Sequence, residues 1–236
     1  MLRAALALIA FGPVALAAAV APLAQTADPL PDSVRALLQV ELREMLRADQ
    51  FVRYQQPFGL FSPCRADSLK QALSGLSVED RFAREAELKA EADARTSDAE
   101  KAVLLQMMID TDARTLVRLR RILDAHGWPA PERTGSDVNP VVFLLHTPPD
   151  SVDALRPQLL AEVRAGRMPA RHFAAAVDKS RIVRGLNQLY GSGQEFDPET
   201  QALVPPRVDD IEATNAARRE IGLGPLVEYR TVGGAD

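Results

Sequence analysis

The chain has 236 residues, of which 47% are hydrophobic and 25% charged, and its formal net charge is −4. Its 28 Lys and Arg are scattered, with only short clusters such as Arg118-Leu119-Arg120-Arg121, so no nucleic-acid partner is expected. Its single cysteine, Cys64, excludes an internal disulfide and leaves the core to hold the fold alone.

Met1-Leu2-Arg3 opens the chain with one positive charge. Residues 4–21 then carry no charge, and small-residue sites follow at Ala15-Leu16-Ala17 and Ala17-Ala18-Ala19. This layout predicts a signal peptide over residues 1–24 and a periplasmic or secreted protein. An uncleaved anchor is the competing reading. The apolar run is about 18 residues, at the lower limit for spanning a bilayer, and Gly12-Pro13 in its middle weakens a spanning helix. No stable membrane span is therefore expected after cleavage. Residues 25–31, with Pro29 and Pro31, read as a linker into one helical domain over residues 32–236.

Helix signals begin at Asp32. Val34, Leu37, Leu38, Leu42, Met45 and Leu46 recur at helical spacing and predict a helix to about residue 54. Pro57, Gly59 and Pro63 mark a loop, made aromatic by Phe58 and Phe61, with Cys64 in it as a small buried hydrophobe. Ser77-Val78-Glu79-Asp80 resembles a capping box before a charged, Ala-rich helix over residues 80–95. Ser97-Asp98-Ala99-Glu100 is a better box. It opens a long helix striped by Leu104, Met108, Thr111, Thr115, Leu119 and Ile122, with Leu105, Ile109, Leu116 and Leu123 beside the stripe. His126-Gly127-Trp128-Pro129 ends it, with Gly127 supplying the positive φ.

Asn139-Pro140 predicts a cap and first helical residue for the apolar run Val141 to Leu145, which ends at His146. Leu155, Leu159, Leu160 and Val163 predict the next helix, closed by Gly166. Another runs from Pro169 to about residue 184 with Gly185 as its stop, and Asp209-Asp210 cap a last one ending at Gly222. No strand pattern of useful length is visible. The fold class is mainly α.

No cofactor and no metal is expected from motifs. A Walker loop, a Gly-x-Ser-x-Gly elbow, a dinucleotide fingerprint and a His-Glu-x-x-His pair are all missing. His126, His146 and His172 are too far apart in sequence to form a local zinc motif. Polar residues on apolar faces carry more information. Arg218 shares a stripe with Ile211, Thr214 and Ile221, bordered by Asn215, and its five donors need partners. Asp178 lies among Ala174, Ala175 and Ile182. A buried Asp178–Arg218 pair is the structural reading; a polar pocket is the functional one.

The residues Glu44-Met45, Asp49-Gln50 and Arg53, then 112–129 with His126-Gly127-Trp128-Pro129, recur in an ordered pattern. It continues with His146, Asp178-Lys179, Gln188-Leu189-Tyr190-Gly191, Gln194, Arg218-Arg219, Gly222-Leu223 and Tyr229. This order resembles a family of uncharacterised bacterial proteins with a domain of unknown function, best over residues 112–229. The chain departs from that pattern at Leu145, where the family has Gln, at Thr147-Pro148, at Lys179 in place of Arg, and at Ser192-Gly193 in place of one Thr. The resemblance implies no reaction.

Together these readings give an expected pocket that binds or hydrolyses a small polar ligand. His146 is its proton acceptor, Asp178 the orienter of His146 or the partner of Arg218, Tyr190 and Gln194 hydrogen-bond donors, and Asn215 and Arg218 ligand-binding. One alternative is a non-enzymatic cell-envelope module that binds a protein partner through residues 80–95 and the Phe58/Phe61 loop. Another is a buried polar network that only fixes helix packing.

Overall fold

The computed structural model describes residues 30–58, 73–197 and 202–226. The expected signal peptide, nearly all of the linker, the loop with Phe61 and Cys64, and Tyr229 lie outside them. The described chain is mainly helical. None of its helices is long and apolar enough to cross a membrane. Its contacts gather into two compact units, which divide between Thr147 and Pro148.

The N-terminal unit is built from α1 (Asp32–Phe58), α2 (Val78–Arg95), α3 (Asp98–His126), the single-turn α4 (Pro131–Thr134) and α5 (Val141–His146). Helix α1 buries Leu38, Leu42, Met45, Asp49 and Val52. These positions are spaced by alternate steps of four and three residues, which keeps them on one face of a helix. Leu37, expected on that face, is 72% exposed, because it falls one residue outside the register. Helix α3 begins with the full capping box, Ser97 Oγ accepting from Glu100 N–H and the Glu100 carboxylate accepting from Ser97 N–H. The apolar stripe of α3 is buried only toward its C-terminal half, at Thr111, Thr115, Leu119, Ile122 and Leu123. Leu105 and Ile109 are exposed.

The end of α3 is a packed stop. Gly127 has φ 71°, a conformation that disfavours any side chain, and Trp128 behind it is fully buried. Arg133, also buried, donates from Nη1 to the His126 and Trp128 carbonyls at 2.9 and 2.7 Å. It thereby satisfies carbonyl groups that the helix end leaves open. Pro140, expected as the first residue of α5, is its N-cap instead; Asn139 Oδ1 still accepts from Val141 N–H at 3.2 Å, and Phe143 and Leu144 turn into the core.

The C-terminal unit holds α6 (Pro149–Arg164), α7 (Ala170–Val183), strands β1 (Glu195–Asp197) and β2 (Ala202–Val204), and α8 (Ile211–Glu220). Helices α6 and α7 pack as a hairpin over Val152, Leu155, Leu159, Val163, Phe173 and Val177. The strands pair antiparallel, Glu195 opposite Val204 and Asp197 opposite Ala202. At three residues each they are too short to show an alternating pattern, so the sequence carries no visible strand signal for them. Asp210 caps α8, its Oδ1 accepting from Ala213 N–H at 2.6 Å.

His172 on α7 is 7% exposed. Burial, with a smaller push from Arg171, lowers its imidazole from 6.5 to about 4. The folded chain therefore keeps His172 neutral where the unfolded chain protonates it. The resulting stabilisation is full above 6.5 and is lost as pH falls through about 4. Its size is about 3 kcal/mol. Urea unfolding at pH 7 and pH 4 should show His172→Gln losing less stability on acidification than the unaltered chain. Equal losses would mean that His172 does not drive the acid response.

Candidate functional site

Three helices of the N-terminal unit bring charged side chains to one point. Helix α1 contributes Asp49, Gln50 and Arg53, α3 contributes Asp112, and His146 ends α5. Asp49 occupies a core position of the α1 stripe, and its side chain is 1% exposed. A carboxylate so placed must be paired or hydrogen-bonded to remain charged. His146 Nδ1 lies 2.7 Å from Asp49 Oδ1, Gln50 Nε2 donates to Asp49 Oδ2 at 2.8 Å, and Arg53 Nη1 stands 3.1 Å from Asp49 Oδ1. That last contact is an ion pair, and the buried Nη1 makes no hydrogen bond among the described residues. Arg53 Nη2 donates to both oxygens of Asp112, at 2.8 and 3.0 Å.

This geometry sets the chemistry of the imidazole. With the Asp49 carboxylate as acceptor, Nδ1 of a neutral ring carries the proton and Nε2 holds the lone pair. The His146 side chain is 25% exposed, and Nε2 has no partner among the described residues. A buried carboxylate thus holds an imidazole that solvent can reach. Burial pushes the Asp112 carboxyl above its ordinary range; Arg53, and more weakly His146, oppose the shift, while Asp49 adds to it. Asp49, Asp112 and His146 can each offer one ligand atom, and these atoms all lie within 4.8 Å of one another.

The other predicted site residues lie in the C-terminal unit, where the side chains of Asp178, Arg218 and Asn215 are engaged by backbone. Asp178, 1% exposed, accepts from Leu189 N–H at 2.7 Å and Tyr190 N–H at 2.9 Å through Oδ1, and from Ser192 N–H at 2.9 Å through Oδ2. Burial raises the Asp178 carboxyl, and these N–H groups oppose the rise. Arg218 donates to the Tyr190 carbonyl at 2.7 Å and the Gly224 carbonyl at 2.6 Å. Asn215 Oδ1 accepts from Leu226 N–H at 2.6 Å. Tyr190 is buried with its ring 5.9 Å from that of Phe173, and Gln194 is exposed. Gly191, at φ 56°, would place a Cβ 2.8 Å from the Leu226 side chain. The sequence run from 188 to 194 is thus a loop held from both sides by α7 and α8.

Asp49, Arg53 and Asp112 surround His146 without standing among the residues expected at the site, and Asp49 is the deepest of them. Its signal was present, a carboxylate in register with Leu38, Leu42, Met45 and Val52. Asp112, beside Thr111 on the buried side of α3, carried a weaker form of the same signal.

Residues 67–233 match a family described as being of unknown function, DUF6624. Asp112, His146, Asp178 and Arg218 fall inside the match, whereas Asp49 and Arg53 precede it. No curated protein and no solved structure matches the chain. Because the matched residues span well over half of its length, the chain belongs to the DUF6624 family of unknown function.

Proposed function

We propose that the chain is exported by its first 24 residues and transfers protons at His146 during the binding or hydrolysis of a small polar ligand. The observation that carries this reading is the 2.7 Å contact between His146 Nδ1 and the buried Asp49. Asp49 acts as the orienter. It fixes the tautomer and stabilises the imidazolium that forms when Nε2 takes a proton. Arg53 counters the charge of Asp49 and Asp112, so the pair of carboxylates does not expel itself from the core. The Asp178 and Arg218 network in the C-terminal unit shapes the 188–194 loop.

The test is hydrolysis of a panel of chromogenic esters, phosphoesters and amides by the full chain and by His146→Ala and Asp49→Asn. General acid–base groups contribute about 10²–10⁴-fold to rate. Losses of that order are expected in His146→Ala, with its melting midpoint within about 3 °C of the unaltered chain. A panel on which no substrate is turned over, or on which both variants match the unaltered chain, counts against catalysis. The protein-binding alternative would then be favoured by the exposed Leu37, Val40 and Phe51, which share one face of α1.

A further inference from the structure

We propose that Asp49, Asp112 and His146 are ligands to one divalent transition-metal ion, of the kind bound by mixed imidazole and carboxylate sets. Their ligand atoms lie within 4.8 Å of one another. Metal–ligand bonds of about 2.0–2.2 Å place the donors on one ion about 3–4 Å apart, so small side-chain rotations suffice. The three donors come from three separate helices, and the deepest of them, Asp49, is almost fully buried.

Charge points the same way. Two carboxylates face one guanidinium and one imidazole, so with a neutral ring the cluster keeps a net negative charge. Arg53 spans both carboxylates but leaves lone pairs on each, since a carboxylate has about four acceptor sites. Imidazole among the donors favours zinc or iron over magnesium and calcium, which prefer oxygen alone. Three protein ligands leave at least one position open for water or ligand.

The inference stands beside the acid–base reading and not on it. Proton transfer needs only the Asp49–His146 hydrogen bond, which the metal-free chain already has. Metal binding needs Asp112 as well, which proton transfer does not.

The experiment is equilibrium dialysis of the full chain, first stripped with EDTA, against Zn²⁺ alone, with bound metal counted per chain. One ion per chain is expected. Asp112→Asn and His146→Gln should each weaken binding tenfold or more. Arg53→Gln should tighten it by about tenfold, because a competing positive charge leaves the carboxylates. Circular dichroism and metal-free melting establish that each variant is folded. Saturating metal should raise the melting midpoint of the unaltered chain by about 5–10 °C and leave folded Asp112→Asn almost unmoved. Less than stoichiometric binding by the unaltered chain overturns the proposal. So does binding that survives Asp112→Asn and His146→Gln, since the ion then sits elsewhere. Weaker binding in Arg53→Gln also overturns it, because the cluster is then an ion-pair network organised by arginine. None of these results touches the hydrolysis comparison of His146→Ala in metal-free buffer.

Discussion

Asp178→Ala is expected to lower the stability of the C-terminal unit by about 4 kcal/mol or more. The carboxylate accepts from three backbone N–H groups, those of Leu189, Tyr190 and Ser192. Removing it strands three donors around a side chain that is 1% exposed. Each stranded buried donor costs about 1–3 kcal/mol, and water entering the space relieves part of that. Asp178→Asn should fall in between, because the amide oxygen can still accept while the amide nitrogen opposes the remaining N–H. Thermal unfolding followed by circular dichroism checks this. At about 2–4 °C per kcal/mol for a chain of this size, alanine should lower the midpoint by roughly 8–16 °C. A fall of no more than about 2 °C would show that the 188–194 loop does not depend on Asp178. Asp178 would then be free for a ligand-binding role.

Asp49→Ala should be comparably damaging for a different reason. Its carboxylate answers Arg53, Gln50 and His146 together. Its loss leaves Arg53 on α1 with Asp112 alone and opens a gap in the packed face of that helix. Breaking a buried ion pair from one side costs about 3–5 kcal/mol, and the midpoint should fall by about 10 °C. Arg53→Ala should cost a similar amount, because it leaves two carboxylates in contact distance of one histidine. The double variant should cost less than the sum of the two, since the second change removes a charge that the first had left unpaired. Additive losses in a double-mutant cycle would mean that Asp49 and Arg53 do not act as a pair.

These two residues differ in how far their roles could be read in advance. Asp178 was visible as a polar residue among alanines, and so was its need for a partner. Its partners were not, because they are backbone N–H groups of a loop more than ten residues away. Arg218 was legible in the same way, as a polar side chain on an apolar stripe. It was expected to meet Asp178 as a buried ion pair, and it donates instead to the Tyr190 and Gly224 carbonyls. Both residues hold the 188–194 loop, one from each side. Asp49 sat in plain view within the α1 register, yet charge at such a position is easily taken for solvent exposure.

Local rules settled most of the helices. Ser97 with Glu100, Gly127 with Trp128, and Asp210 before α8 mark starts and stops whose partners lie within four residues. Periodicity located the buried faces of α1 and of the second half of α3, since a helix repeats its face every three or four residues. Composition revealed neither the short pairing of β1 with β2 nor the division of the described chain into two units. Only the tertiary structure brings Asp49, Asp112 and His146 within 4.8 Å. The 97 residues that separate Asp49 from His146 carry no local signal, and the meeting point is decided by how α1, α3 and α5 pack.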